Sequence, residues 1–470
     1  MPRIIVVGGG LIGLATSLLI AKQGHDVTVL ERDPEPPPET RDEAIGTWAR
    51  PGVMQFRLVN FLMPRGRQLL DEHLPEVTAL LAASGAPDHS GLSNMPQSIT
   101  DRSPRPGDDR FATLATRRQL LEYAMATVAN SAVDVRRGVH VAGLLSDGRR
   151  RVTGVQLRDS DHHGGELPAD LVIDASGRRS PLPGWLTAIG ADAPAEESED
   201  LGFVYYGRFF QGPASPAGPL PIPAGLFHYD GYSMLVLPSD NGTWNATVVT
   251  SSRDHALRDL REEANFTKLL SACPMHAPLL GLEPIGGMIA AAGISDRLRR
   301  IVICTAPVVT GLLAVGDSWA CTNPSLGRGI TVGLMHALVT AEAVGSHLGD
   351  PAALAVEHDR LTRKRVLPWY RATTQLDRQR AAQVTAAIEG RPPAPGPSSP
   401  EAQVAQDVAA AMMVDPDAYR AFLELTFMLA LPGDLVARPG FADHVRTIAA
   451  ALPPARLPGP TRQELLAMLS

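Results

Sequence analysis

Three glycines close to the N-terminus have a spacing that suits the binding of a phosphate. Gly8, Gly10 and Gly13 follow a β-branched run, Ile4–Val7, and Glu31 stands about 20 residues further along the chain. Gly8 permits a tight turn, Gly10 lets backbone amides approach a pyrophosphate, and Gly13 lets a helix pack closely on the strand. Glu31 is placed to accept a hydrogen bond from a ribose hydroxyl, and its charge disfavours a 2′-phosphate. The spacing therefore predicts a dinucleotide site for a ligand other than NADP.

A second segment with special backbone chemistry, Gly311–Ala337, reads GLLAVGDSWACTNPSLGRGITVGLMHA. Gly327 and Gly329 allow a backbone to lie against a flat ring, and Pro324 offers a rigid wall that has no N–H. The following helix is expected to begin at about Ile330–Thr331, so its free amides would face the pyrimidine edge of a flavin. Together the two segments predict FAD, bound across both ends of one discontinuous domain.

The elements that position these segments follow from apolar periodicity. Leu14, Leu18 and Ala21 predict a helix after the glycines, and Asp26–Leu30 predicts the strand that ends at Glu31. The sequence between Val133 and Gly177 predicts a meander of strands, two of which a tight turn joins at Asp161–Glu166. Four more helices are predicted, over Arg65–Ala83, Thr113–Asn130, Leu257–Ala272 and from about Thr331 to His347.

The chain is predicted to have an α/β fold of three parts. A Rossmann-like FAD-binding domain takes residues 1–180 and 298–380, and an antiparallel-sheet substrate domain takes residues 181–297. A helical region, 381–470, follows a Pro-rich linker at Arg391–Pro400, and Phe422, Leu425 and Met428 give it one apolar face. Aromatic residues of the second domain either line an apolar pocket or belong to plain sheet core: Phe203, Tyr205, Phe209 and Phe227.

Composition excludes several classes of function. The 470 residues carry a net charge of -7, so no basic field recommends nucleic acid as a partner. The three cysteines have no CxxC spacing, which predicts neither a disulfide framework nor a zinc site. The chain starts on the first strand without a signal-peptide pattern, and no apolar run reaches the ~20 residues of a membrane span. The sequence predicts a soluble cytoplasmic protein without a resident metal.

The chain resembles the p-hydroxybenzoate-hydroxylase-like (group A) FAD-dependent monooxygenases. Three motifs match in order along residues 1–375. They are GxGxxG at Gly8–Gly13, DxxGxxS at Asp174–Ser180, and Gly316-Asp317 followed by Asn323-Pro324 and Gly327-x-Gly329. Local stretches such as GVMQFR (Gly52–Arg57) are similar to flavin-dependent polyketide and polyether epoxidases. Leu58 and Asn60 stand where that branch usually carries paired histidines, which leaves the branch open.

The resemblance implies roles for individual residues. Asp317 would hydrogen-bond the ribityl chain, Arg118 would reach the pyrophosphate, Val141 would contact adenine through its backbone, and Arg57 would approach the cofactor. The full set of expected cofactor-binding residues is Gly8, Gly10, Ile12, Gly13, Glu31, Arg32, Arg57, Arg118, Val141, Asp174, Gly316, Asp317, Pro324, Gly327, Gly329 and Ile330. Pro324, Gly327 and Gly329 are also the candidates for the flavin edge at which chemistry would occur.

The resemblance implies hydroxylation or epoxidation of a largely apolar organic substrate by a flavin C4a-hydroperoxide, formed from reduced FAD and O2. A role in secondary metabolism is a hypothesis from the same likeness. Such chemistry asks the protein mainly to exclude water and orient the substrate, so no acid–base residue is assigned. Only one dinucleotide fingerprint is present. NAD(P)H would therefore bind transiently as reductant, or a separate flavin reductase would supply electrons.

Rival functions remain beside this interpretation. An FAD-dependent reductase or dehydrogenase acting on C=C bonds carries overlapping motifs and stays open. A flavin-dependent halogenase is not expected, because no WxW is present and no lysine lies between Lys22 and Lys268. A protein-binding chain with a similar nucleotide fold is disfavoured by the intact GD segment. His162-His163 is interpreted as a hairpin tip, Cys321 as buried filler, and His255 and His276 as structural.

Overall fold

A computed structural model gives the structure of the chain and describes residues 2–148, 150–158, 165–212, 222, 224–392, 399–453 and 457–470. The strands are β1 (Arg3–Val7), β2 (Asp26–Glu31), β3 (Asp88–Ser90), β4 (Ala112–Leu114), β5 (Asp134–Arg137), β6 (His140–Ser146), β7 (Val152–Arg158), β8 (Gly165–Pro168), β9 (Leu171–Asp174), β10 (Ala195–Glu199), β11 (Phe203–Gln211), β12 (Gly225–His228), β13 (Ser233–Pro238), β14 (Thr243–Ser251), β15 (Glu283–Ala292), β16 (Asp296–Arg300), β17 (Val302–Ile303), β18 (Ala306–Pro307), β19 (Leu312–Ala314) and β20 (Ala320–Cys321). The α-helices are α1 (Leu11–Ala21), α2 (Arg41–Gly46), α3 (Pro64–His73), α4 (Pro75–Ala83), α5 (Arg118–Ala132), α6 (Leu182–Ala188), α7 (Glu263–Ala272), α8 (Gly329–His347), α9 (Pro351–Arg365), α10 (Leu367–Ile388), α11 (Pro400–Ala411), α12 (Pro416–Thr426), α13 (Pro432–Val436), α14 (Phe441–Ala451) and α15 (Arg462–Leu469).

A five-stranded parallel sheet carries the N-terminal glycines. Its strand order is β19–β9–β1–β2–β5, and every neighbouring pair is parallel. β1 is buried along nearly its whole length, because helix α1 and its neighbours α5 and α8 lie on one face and the β6–β7–β8 sheet contacts β9. The carboxyl ends of β1, β9 and β19 lie side by side, so the loops after these strands meet at one edge. The predicted Rossmann-like domain is confirmed.

The predicted antiparallel sheet is also confirmed, with the strand order β12–β13–β14–β11–β15. Alternate residues of β11 enter different apolar clusters, as the pleat requires. Tyr206 and Phe210 pack with α7, whereas Phe203 and Tyr205 pack with Ala381 of helix α10. The sheet therefore has two distinct faces, and the Tyr205 face is the one that helix α10 meets.

The C-terminal residues are helical, as predicted. Helices α11 to α14 share an apolar cluster of their own. Tyr419 and Leu423 of α12, with Phe427 just after it, belong to a second cluster with residues before α5. Helix α15 leaves this group, because its Leu465 is buried in the core of the antiparallel sheet. Of the predicted apolar face, Met428 is fully buried and Phe422 and Leu425 are half-buried.

Several predicted helix bounds are wrong. Arg65–Ala83 is two helices, α3 and α4, because Leu74 is non-helical and precedes Pro75, which has no N–H. Thr113–Asn130 begins only at Arg118, since Ala112–Leu114 pairs with β3 as a strand. Leu257–Ala272 is a 3-10 turn that breaks at Glu262, followed by the α-helix α7.

The predicted meander is only partly correct. Strands β6, β7 and β8 form it, whereas β5 and β9 belong to the parallel sheet. Four residues of the Asp161–Glu166 turn, His162 and His163 among them, lie outside the described residues. Strand β16 and helix α10 run across the predicted boundaries at 297/298 and 380/381, and the domain limits stay predictions.

Helix α8 has the length and composition of a membrane span, with a mean hydropathy of 1.2, and it is the one such helix in the described ranges. Its most apolar window is 72% buried inside the protein. The helix packs against α1 and α9. This placement is that of a core helix.

Candidate cofactor-binding site

The N-terminal glycine loop has the geometry that its sequence predicts. Gly8 has φ +108°, and an added Cβ would lie 2.5 Å from the carbonyl oxygen of Ala175. A Cβ on Gly13 would lie 2.0 Å from the carbonyl oxygen of Gly8, so α1 packs on the loop only because position 13 is glycine. A Cβ on Gly10 would meet no atom within 4 Å, and no side chain caps the amides of α1. The loop thus offers open space and free N–H groups, which fits a pyrophosphate.

Ile12 joins the two sequence segments. Its side chain lies 3.0 Å from where a Cβ on Gly316 would be and 2.6 Å from the corresponding point on Gly333 of helix α8. Glycine at 316 and 333 is what lets Ile12 fill this space. The structure therefore brings the N-terminal loop and the GD segment together, as the prediction of one discontinuous site requires.

Glu31 is nearly buried and already makes several hydrogen bonds. Its Oε2 accepts from the Gly9 amide at 2.7 Å and from Arg50 at 2.9 Å, and its Oε1 accepts from the Asp33 amide at 2.9 Å. A carboxylate has about four acceptor directions, which leaves one for a ribose hydroxyl. Glu31 can therefore play its predicted role, which is to accept a hydrogen bond from a ribose hydroxyl, only with the one acceptor direction that remains.

Arg50 is a residue of this site that sequence reasoning missed. Its side chain is fully buried, and it donates to the Gly9 carbonyl at 3.0 Å and to Asp33 at 3.1 Å. Burial alone would lower the pKa of Arg50, but the carboxylates of Glu122, Glu31 and Asp33 outweigh it and raise that pKa. Arg50 thus neutralises the acids at the end of β2. No local motif marks it, because its partners come from three different places in the chain.

The GD segment gathers charges around Asp317. Burial raises the pKa of the partly buried Asp317 carboxyl, and the charges of Arg118, Arg178 and Arg297 oppose that rise. Arg297 also donates to the Asp317 carbonyl at 3.1 Å, and Arg118 pairs with Glu122 at 2.6 Å. Two residues predicted from the resemblance, Arg118 and Asp317, therefore lie within electrostatic range of each other.

Asp174 organises the loop after β9. Its buried carboxylate accepts from the Ser176 amide at 2.9 Å, the Ser176 hydroxyl at 2.6 Å and the Ser180 hydroxyl. Gly177, at φ +84°, donates its amide to the Ser318 hydroxyl at 2.9 Å. The DxxGxxS motif therefore links the loop after β9 to the GD segment, and the Asp174 side chain holds the loop from within.

The turn before α8 has the open backbone predicted for a flavin edge. Pro324 starts a 3-10 turn, Gly327 has φ +66°, and Gly329 is the first residue of α8, slightly earlier than predicted. No side chain caps the start of α8, and the nearest atoms to added Cβ atoms on Gly327 and Gly329 are 3.5 Å away. Pro324, Gly327, Gly329 and Ile330 are all half-buried. The turn and the helix end fit one edge of a flat ring.

For three predicted residues, no side-chain hydrogen bond or ion pair among the described residues ties them to this arrangement. Arg32 and Arg57 are exposed and form no hydrogen bond or ion pair with the described part of the chain. Val141 lies in β6 beside a β-bulge, with its side chain buried in the main core. Contact of these residues with a cofactor stays a prediction.

A buried polar network holds the turn from behind, and sequence reasoning missed it. The Tyr205 hydroxyl donates to the Asn323 side chain, whose Nδ2 donates to the Ile294 carbonyl at 2.8 Å. The Asn323 amide donates to Asp296 at 2.7 Å, and the Ser325 hydroxyl donates to Asp377. The antiparallel sheet and helix α10 are thereby tied to the turn.

The aromatic residues proposed for a pocket divide between the two faces of the antiparallel sheet. Phe203, Tyr205 and Phe209 alternate along β11 and lie on the face that meets the turn. Phe227 packs on the opposite face, 4.8 Å from the ring of His276, so it belongs to the core there. Leu235 of β13 and Ile289 of β15 lie in the strands that flank the Tyr205 face of the sheet. Both are half-buried, so part of this face is accessible to solvent.

Other reactive residues have structural surroundings. Burial raises the pKa of the Cys321 thiol above its ordinary value, which disfavours a thiolate. His276 is buried and apolar in its contacts, and burial lowers its pKa to about 4. Within the described ranges, Asp415, Asp417 and His444 are the one group with metal-like spacing. Asp415 caps helix α12 and Asp417 pairs with Arg105, so no metal is assigned.

Comparisons with known proteins agree with this arrangement. A family model described as FAD dependent oxidoreductase matches residues 3–89. Protein Rv3254 of Mycobacterium tuberculosis H37Rv is 29% identical over 391 residues, which are 77% of each chain. The flavin-dependent brominase Bmp2 has a similar structure, with a TM-score of 0.62 and 14% identity over 96% of this chain and 98% of its own. The anhydrotetracycline hydroxylase OxyS from Streptomyces rimosus has a TM-score of 0.58 and 17% identity over 91% of this chain and 76% of its own.

The structural likenesses are too low in identity to carry more than the fold. The family model covers the glycine loop, β2 and Glu31, where the geometry fits a dinucleotide. Taken with that geometry, the match to the family model supports an FAD-dependent oxidoreductase.

Proposed function

We propose that the chain is an FAD-dependent monooxygenase that hydroxylates or epoxidises a largely apolar organic substrate. The substrate would lie between the Tyr205 face of the antiparallel sheet and the turn at Pro324–Gly329. The observation that carries the proposal is the hydrogen bond from Tyr205 to Asn323, because it joins this face directly to the turn. One oxygen atom of O2 would enter the substrate and the other would leave as water, with two electrons and two protons consumed.

Each part of the site has a task in this proposal. The open amides of α1 would bind the pyrophosphate, and those of α8 would face the flavin pyrimidine and favour negative charge there. FAD would supply electron storage and oxygen activation. Phe209, Leu235 and Ile289 would give the substrate an apolar surface and exclude water. The electrons would come from NAD(P)H bound transiently, or from a separate flavin reductase.

The positions of the three lysines argue for oxygen transfer to carbon and against halogenation, although the brominase Bmp2 has a similar fold. Lys22, Lys268 and Lys364 are the only lysines of the chain, and all three are exposed. Lys22 pairs with Glu76, and Lys268 donates to the carbonyl of Met468, so neither amine is bound to a residue of the turn. The site therefore has no amine to carry an activated halogen to a substrate.

The test is rapid mixing of the anaerobically reduced holoprotein with oxygenated buffer, followed by flavin absorbance. The proposal predicts a transient blue-shifted band before the oxidised spectrum returns, with and without added bromide. Slow, featureless reoxidation, repeated with aromatic and olefinic ligands present, would contradict it. That result would favour the alternative, an FAD-dependent reductase or dehydrogenase acting on C=C bonds.

A further inference from the structure

A buried carboxyl group lies directly behind the turn at the proposed flavin edge. Asp377 belongs to helix α10 and is 1% exposed. One of its oxygens accepts a hydrogen bond from the hydroxyl of Ser325, the residue after Pro324. The other oxygen, Oδ2, has no hydrogen-bond partner among the described residues. An unpartnered carboxylate oxygen in the interior is costly, so its presence here calls for a reason beyond packing.

Asp377 is one of several groups that hold the turn from separate elements. Asn323 is fixed by Tyr205 of β11 and by Asp296 of β16, and Ser325 is fixed by Asp377 of α10. Arg328, at the other end of the turn, donates to the carbonyl of Leu425 in α12. Pro324 has no N–H to bond elsewhere, and it is joined covalently to Asn323 and Ser325. A shift of Ser325 is therefore passed to Pro324 directly.

The charges that face Asp377 are few. Burial is the largest influence and raises the pKa of Asp377 to about 7, opposed by the hydrogen bond from Ser325. Asp296 on β16 adds to the rise, and Arg328 at the start of α8 opposes it. Tyr205 on β11 faces the same interior, and its own pKa is raised well above the ordinary value. On the same helix, Arg378 is directed to the surface, where it pairs with Glu199.

An aspartate at position 377 has a property that a neutral residue of the same shape would lack. Asparagine would accept the same hydrogen bond from Ser325 and would avoid the cost of a buried charge. Unlike asparagine, whose NH2 group is a permanent donor, an acid gains and loses a proton. When Asp377 is ionised it is a strong acceptor for the Ser325 hydroxyl, and when it is protonated that acceptor weakens and Oδ2 becomes a donor.

We propose that Asp377 is a positioning residue for the flavin, because its charge state sets, through Ser325, how closely Pro324 and Gly327 lie against the ring. One proton moves between Asp377 and solvent, and no bond other than that O–H forms or breaks. The inference rests on the proposed function only in that the flavin edge lies at this turn. It does not depend on the substrate or on oxygen transfer.

The experiment compares the absorption spectrum of the bound, oxidised flavin across the neutral pH range in four holoproteins. These are the wild type, Asp377→Asn, Ser325→Ala, and Glu389→Gln as a control for an exposed acid just after α10. The wild type and Glu389→Gln are expected to show a one-proton spectral transition near pH 7, the value to which burial raises the pKa of Asp377. Asp377→Asn is expected to lose the transition and to keep a flavin spectrum that no longer changes with pH.

Ser325→Ala separates the charge state of Asp377 from its effect on the position of the turn. In this variant the infrared band of the protonated Asp377 carboxyl should still vanish as pH rises, while the flavin spectrum stays constant. The same variant decides the question if Asp377→Asn fails to fold. A transition that persists in Asp377→Asn or in Ser325→Ala would overturn the proposal, as would its absence from the wild type or a failure of the chain to bind FAD. If the flavin spectrum shows the expected pH transition but the protein forms no oxygen adduct, only the proposed monooxygenase function would be contradicted.

Discussion

The two ends of the candidate site are built in different ways. At the glycine loop, steric exclusion between near neighbours is the main constraint, because Gly8 and Gly13 stand where any Cβ would meet a carbonyl oxygen. At the turn before α8, side chains from β11, β16 and α10 and a backbone carbonyl of α12 hold the turn from behind. The first end is local in sequence and the second is assembled from across the chain. Substitutions of the glycines should therefore act through steric exclusion at the first end, and substitutions at the second end should act through lost polar partners.

The largest effect is expected at the glycine loop. Gly13→Ala places a Cβ 2.0 Å from the Gly8 carbonyl oxygen, so helix α1 must move away from the sheet. We expect a loss of stability of about 4 kcal/mol or more, measured by urea denaturation of the apoprotein. Gly10→Ala, just before the same helix, is the control for a glycine that has open space around it and an ordinary negative φ. An apoprotein of unchanged stability with alanine at 13 would show that the loop is not sterically fixed.

The next largest effect is expected for Arg50, which lies beside the same loop but acts through charge. Arg50→Met leaves Glu31, Asp33 and Glu122 buried without their shared cation. Breaking a buried ion pair in this way costs about 3–5 kcal/mol, which urea denaturation of the apoprotein would measure. Arg57→Met removes an exposed arginine and should change stability by less than about 0.5 kcal/mol. Equal effects of the two substitutions would contradict the account of Arg50.

Asp377 gives the turn a dependence on pH that the glycine loop lacks. Its pKa is raised from 3.8 to about 7, so the folded protein binds more protons than the unfolded chain between these values. Stability should therefore fall as pH rises through this window and stay constant above it. Asp377→Asn removes this term, so its free energy of unfolding relative to wild type should rise between pH 5 and pH 8 by an amount on the order of 2–4 kcal/mol, measured by urea denaturation at each pH. A difference independent of pH would contradict the assignment.

The smallest effect is expected for the hydroxyl of Tyr205. Tyr205→Phe removes the hydrogen bond to Asn323 and should cost about 1 kcal/mol, while shifting the bound flavin spectrum. Tyr206→Phe changes the opposite face of the same strand and should leave the spectrum unaltered. A spectral change in Tyr206→Phe of equal size would mean that the Tyr205 face does not border the flavin.

The difference between the two ends also explains what the sequence could predict. Gly8, Gly10, Gly13 and the strands around them are predictable, because their constraint acts between near neighbours. The roles of Arg50 and Asp377 are not predictable from local sequence. Partners of Arg50 come from β2 and α5, and the partner of Asp377 lies 52 positions away in the sequence. Apolar periodicity also failed where a proline or a short edge strand intervened, as at Pro75 and at Ala112–Leu114.

The most direct test of the central claim is an equilibrium titration of the apoprotein with FAD, in wild type, Gly10→Ala and Gly329→Ala. Both glycines have space for a Cβ in the absence of a ligand, so both apoproteins should be as stable as wild type. If one FAD lies across both segments, the wild type binds one equivalent, and each substitution weakens binding by about tenfold or more by placing a methyl group against the cofactor. Binding of FAD that either substitution leaves unchanged would contradict a single site built from both ends of the chain.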